Sequence, residues 1–158
     1  MNRKLRWQPL LVSIIIAEIV GAISSFLSGD IKTVYGALKK PPLAPPAWLF
    51  SVVWILLFAL MGAAAYLIWQ SGCKQQTGAL RIYGLSLFVV FFWPVFFFRF
   101  GMRLFAFAWL LLLIWLVFKT MLRFYRCTPA AGKLLLPFWL WLWYAGYLNF
   151  SFWLLNRG

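Results

Sequence analysis

Few side chains in this sequence can do acid–base chemistry, so those that can are easily weighed. Its 158 residues include two carboxylates, Glu18 and Asp30, two cysteines and no histidine. Paired-carboxylate and nucleophile–base mechanisms lack their parts, so no catalytic residue is assigned. A set of metal ligands is missing as well, and no metal site is expected. Glu18 sits near the middle of a long apolar run, where an ionised carboxylate is costly. It reads as a ligand contact or proton-linked group, or as a neutral acid hydrogen-bonded to a neighbouring helix. The second reading is favoured, because no Lys, Arg or His falls at the same depth.

Binding chemistry is better represented, with 11 Trp and 17 Phe. Trp141, Ala145, Leu148 and Asn149 recur at three- and four-residue steps and share one helical face. That face offers a wide ring, a small residue and an amide, which suits a cavity for a flat hydrophobic ligand or ordinary aromatic packing. Phe92 stands in an aromatic run broken by Pro94, which should kink or end its helix. Pro41, Pro42, Pro45 and Pro46 make a stiff, folded-over connector that reads as a lid. Tyr35, Pro41 and Pro45 belong to that lid, and Lys32, Lys39 and Lys40 lie at its rim, placed to meet acidic groups of a ligand.

The elements that position these residues follow from composition. The chain is 65% apolar and 11% charged, with mean hydropathy +0.89, which excludes a soluble globule. A net charge of +13 raises nucleic acid as a partner. The 15 Lys and Arg instead flank apolar runs and face lipid headgroups, so the bilayer is the expected partner and nucleic acid is not. Runs at about 9–27, 46–69, 79–98, 104–122 and 134–155 are each long enough to cross a bilayer as a helix. Helices satisfy their own backbone groups in lipid. The expected fold is an all-α, multi-pass membrane protein, one five-helix bundle over 1–158, with the Pro-rich loop between helices 1 and 2.

Connectors and small residues add detail. The long first connector, 28–45, is the one expected to be functional, and Gly101 can take positive φ in the tight turn at 99–103. Gly21 with Ser25, and the small run 62–65, allow close helix approach inside the bundle by default, or across a dimer. Cys73 and Cys127 fall in loops on one side, which allows a bridge, but free thiols are expected. The basic start at 3–6 precedes a long run without a clear cleavage pattern, a retained first helix. Nine Lys and Arg on the N-terminal side against six opposite favour a cytoplasmic N-terminus.

Several stretches together carry a resemblance. They are Gly21-Ala22, then Tyr35-Gly36-Ala37-Leu38-Lys39-Lys40-Pro41, then Pro45-Pro46-Ala47-Trp48-Leu49-Phe50 with Trp54. Pro94-Val95-Phe96-Phe97, Pro137-Phe138-Trp139-Leu140-Trp141, Leu148-Asn149 and Asn156 complete the set. In order and spacing the chain resembles the tryptophan-rich sensory protein family, also called the translocator protein or peripheral benzodiazepine receptor family, over nearly its whole length. The resemblance implies a five-helix bundle, often a homodimer, with a ligand cavity under the first loop. Family members bind porphyrins such as protoporphyrin IX, isoquinoline and benzodiazepine-type drugs and, in animals, cholesterol. No cofactor is required; porphyrin enters as a ligand. By position, Ala22, Trp48, Leu49 and Phe92 match pocket-lining positions of the family, as do Trp141, Ala145 and Leu148.

Three departures qualify what the resemblance implies. Pro42, Leu43 and Val34 stand where the family commonly has Trp in or beside the lid, which weakens any Trp-dependent breakdown of porphyrin. Val89 and Phe92 replace the family's usual Asn and Trp, with Trp93 one place along, making a more apolar pocket. Ser151 and Leu154 replace the Tyr and Arg of the animal sterol motif; Arg81-Ile82-Tyr83-Gly84-Leu85 fits the reverse sterol pattern. The expected function is binding of porphyrins or similar flat hydrophobic molecules for sensing or transport, in a bacterial cytoplasmic membrane. Light-dependent porphyrin breakdown, and transport of small molecules or lipids, are the alternatives.

Overall fold

The computed structural model describes residues 5–157; Arg3 and Lys4, counted above among the flanking cations, lie outside them. In chain order come α1 (Trp7–Leu27), α2 (Ile31–Ala37), α3 (Ala47–Ser71) and α4 (Gln76–Pro94). A π-helical segment, Val95–Arg99, continues α4, and α5 (Arg103–Cys127), α6 (Pro129–Leu134) and α7 (Leu136–Leu155) follow. No strand occurs among the described residues. Among the described residues four helices are long and apolar enough to cross a membrane: α1, α3, α4 with its π segment, and α5. The molecule is an all-helical integral membrane protein. α7 has 20 residues, about 30 Å at 1.5 Å per residue, but its Trp, Tyr and Asn lower its hydropathy.

Long-range hydrogen bonds fix how the helices run. At one end the Arg6 N–H donates to the Tyr66 hydroxyl at 2.8 Å, joining the start of α1 to the end of α3. At the other, the Arg99 guanidinium donates to the Leu27 carbonyl at 3.1 Å, so the end of the π segment meets the end of α1. α1 packs on α3, α4 on α5, and α5 on α7. The Ser13 hydroxyl donates to the Gly62 carbonyl at 2.7 Å. A Cβ on Gly62 would sit 2.5 Å from the Ile14 Cα, so the small run of α3 serves contact within the bundle. The opposite face of α1 presents Leu11, Ile15, Ile19 and Phe26 outward, as a lipid-facing helix should.

Two connectors are partly helical. Residues 28–45 are not all irregular, because Asp30 starts α2 by accepting from the Thr33 N–H at 3.1 Å and its hydroxyl at 2.6 Å. The last turn is also helical, since α5 runs to Cys127 and α6 follows at once. Cys73 and Cys127 are joined in a disulfide with Cα atoms 5.7 Å apart, so the expected free thiols are corrected. The chain leaves α3 and α5 at the same end of adjacent helices, within bridging distance. Gly101 does take positive φ, 65°.

Pro94 acts as anticipated and shows how. It lacks the N–H of its helical turn, and the Val95 N–H bonds to the Phe92 carbonyl. The ladder then widens, with the Phe100 N–H reaching the Val95 carbonyl. The buried Ser24 hydroxyl on α1 donates to the Phe91 carbonyl at 2.6 Å, supplying a partner beside the break.

Candidate functional site

Small residues on one face of α1 leave room that aromatic rings on α3 and α4 enclose. The result is a chamber of about 280 Å³ between α1, α3 and α4. Its α1 wall carries Glu18, Gly21, Ala22, Ser24 and Ser25; Phe50, Trp54 and Phe58 face them from α3, and Trp93 and Phe98 from α4 and its π segment. The Trp54 and Trp93 rings stack at 5.8 Å and 26°. The chamber is mostly apolar, as a ligand site usually is. Ala22, Ser25, Ser51 and Ile55 are exposed, so it opens sideways between α1 and α3.

Above it lies a more polar vestibule of about 260 Å³, sharing Ser25, Ile31, Phe50, Ser51 and Phe98 with the chamber. Asp30, Lys32 and Tyr35 supply its other polar side chains, beside Gly29 and Ala47. Asp30 is held below the usual carboxylate range by the Thr33 hydroxyl and N–H. Burial, then the neighbouring Tyr144, pushes the Tyr35 phenol up.

The Pro-rich strap is tied down behind α2. Tyr35 donates to the Pro45 carbonyl, Tyr144 to Leu43 and Tyr147 to Pro42 at 2.9 Å. Asn156 pairs with the backbone of Lys39, accepting at 2.9 Å and donating at 3.1 Å. Leu43 turns the strap with φ 65°, a conformation unusual for a leucine.

The residues expected to form the site divide into three groups. Ala22 lines the chamber and Lys32 the vestibule. Ala145, Leu148 and Asn149 do share a face, but the void they line is only about 20 Å³, with Phe97, Phe98 and Phe152 among its other walls. Asn149 accepts from the Trp93 indole N–H at 3.0 Å and donates to the Arg103 carbonyl at 2.7 Å. Trp48 and Leu49 stand outside, Trp48 being 66% exposed. Phe92 packs with Phe88, Phe91 and Phe96 instead. One helical step is about 100°, which turns Trp93, 4% exposed, inward in its place. Trp141 lies behind the chamber, its ring 6.0 Å from Phe50. Pro41 and Pro45 are buried in the strap, Lys39 is held through its backbone, and Lys40 covers the Tyr35 ring at 5.3 Å.

Other readings change as well. Glu18 is not tied to a neighbouring helix; among the described residues it has no hydrogen-bond or ion-pair partner. Tyr83, the aromatic of the reverse sterol pattern, turns into the bundle, 5.8 Å from the Phe124 ring. Phe50, Trp54, Phe58, Trp93 and Phe98 are the aromatic wall residues that sequence reasoning did not place in the site. Phe50, Trp54 and Phe58 fall at four-residue intervals, the one local signal that they share a face.

Bundle and chamber together define a class: a helical membrane protein with an aromatic-walled cavity between its helices. The chain belongs to the TspO/MBR family, whose pattern matches residues 12–154. It is 32% identical over 159 residues to the tryptophan-rich protein TspO of Chlorobaculum tepidum, covering 99% of each chain. It is similar to the translocator protein of Ovis aries, 32% identical over 85% of this chain and 82% of that one. Protein CrtK of Rhodobacter capsulatus is 37% identical over 78% and 79% of the two chains.

Proposed function

We propose that this protein binds flat hydrophobic ligands, porphyrins foremost, in the chamber, with α7 as a fifth membrane span closing the bundle. One observation carries the reading: an apolar chamber walled by stacked Trp54 and Trp93 adjoins a polar vestibule bearing Lys32. A ring system with acidic edge groups has the matching polarity, its face against indoles and its carboxylates toward the cation. The word translocator in relatives' names supports transport as the consequence of binding.

Protoporphyrin IX titrated into the detergent-solubilised protein is expected to quench Trp fluorescence saturably, and Ala22→Trp, which fills the chamber, to abolish saturation. Linear quenching no stronger than that of an unrelated Trp-rich membrane protein would sink the reading. Light-dependent breakdown is a second reading, favoured by the two indoles beside the chamber. Loss of the porphyrin absorbance band under illumination, dependent on Trp54 or Trp93, distinguishes it from binding alone.

A further inference from the structure

Glu18 is the acid the porphyrin reading leaves unused. It lies eleven residues from the start of α1 and nine from its end, about 16 Å and 14 Å along the helix. At that depth a carboxyl needs a partner, and an intramembrane acid ordinarily faces a cavity or a counter-charge. The described residues give it none. It belongs instead to the chamber wall, at the sideways mouth. Among the lining residues the one cation is Lys32, in the vestibule, where Asp30 shares the lining.

What surrounds the carboxyl narrows the class of partner. Ala22 and Ser25 follow Glu18 on the same face and clear space beside it. Across that space stand the rings of Phe50, Trp54 and Phe58, electron-rich surfaces that attract cations. An acid backed by aromatic faces, in an apolar recess open to the bilayer, is complementary to a lipophilic ammonium group.

We infer that the mouth between α1 and α3 is a binding site for lipophilic amines, with Glu18 as counter-ion and the chamber rings holding the apolar body. The site lies in the chamber assigned above to flat ligands, and it adds the charge that the ligand should carry.

The test uses the full chain in detergent and two fluorescent probes of nearly equal shape, 9-(aminomethyl)anthracene and the uncharged 9-ethylanthracene. Energy transfer from Trp to anthracene reports binding. The amine is expected to bind at least about tenfold more tightly than the hydrocarbon, as one partly desolvated ion pair allows. Glu18→Gln should erase the difference, whereas Glu18→Asp, which keeps the charge, should retain part of it. Equal affinities for wild type, or a preference that survives Glu18→Gln, would overturn the proposal. A parallel protoporphyrin IX titration of wild type keeps the two readings apart. Saturable porphyrin binding without amine preference removes this inference alone, and amine preference without porphyrin binding removes the porphyrin reading and leaves this one standing.

Discussion

One amide, that of Asn149, holds both the chamber wall and the start of α5. It is 1% exposed and bonds the Trp93 indole and the Arg103 carbonyl at once. Asn149→Ala leaves a buried donor and a buried acceptor unpaired, at a cost of about 2–4 kcal/mol. Thermal unfolding in detergent should show a clear fall in midpoint, with weaker ligand quenching because Trp93 loses its tether. An unchanged midpoint would mean that both groups find other partners. Tyr35 permits a prediction in pH. Burial raises its phenol above the ordinary value of 10.0, so the folded state holds the proton more tightly than the unfolded chain. Its contribution is therefore complete below pH 10 and lost as pH rises through the raised value. Between wild type and Tyr35→Phe, the difference in stability should shrink above pH 10; a constant difference would refute the assignment.

At the level of elements, the tightest seam is that between α1 and α3. Gly62→Ala forces the Ile14 backbone away and should destabilise the protein, whereas Gly84→Ala on α4 meets nothing within 4 Å. The second change is expected to be neutral or stabilising by up to about 1 kcal/mol, the helix-propensity difference between the two residues. Comparing the two melting curves separates close packing from propensity, and equal shifts would argue against the seam. The disulfide ties α3 to α5 across a sequence separation of 54. On a chain-entropy count that loop corresponds to about 4 kcal/mol at most, since helices left in the membrane restrict the unfolded chain already. Cys73→Ser should lower the unfolding midpoint, and reductant should lower that of wild type but not of the variant.

For the whole molecule, the bridge and the charges pull orientation in opposite directions. Lys and Arg counted over the sequence favour the N-terminal side as cytoplasmic, yet that side carries a disulfide, which persists in oxidising compartments. The bridge is the more direct chemical constraint, because a margin of nine cations to six is narrow. After impermeant reductant, an impermeant maleimide should label the cysteines in right-side-out vesicles. Labelling only in inverted vesicles would restore the orientation expected from charge.

How much of this was legible in the sequence varies with the range of the interaction. Apolar runs separated by polar or proline-bearing turns determined a helical membrane protein, because span length and backbone satisfaction in lipid are local constraints. Pro94 was legible for the same reason: a missing N–H breaks a ladder wherever it occurs. Ala145, Leu148 and Asn149 were also correctly placed on one face. What that face met was a tertiary matter, since Phe97, Phe98 and Phe152 wall in the small void there. Likewise Phe92 and Trp93 are equally aromatic in sequence, and only the rotation of α4 against α3 and α7 turns the indole inward. The cysteines lie 54 residues apart, and only the packing of α3 beside α5 joins them. Sequence thus determined the long apolar helices and their solvent. Tertiary packing decided where a cavity was left, which rings wall it, and that the acid at mid-membrane faces open space.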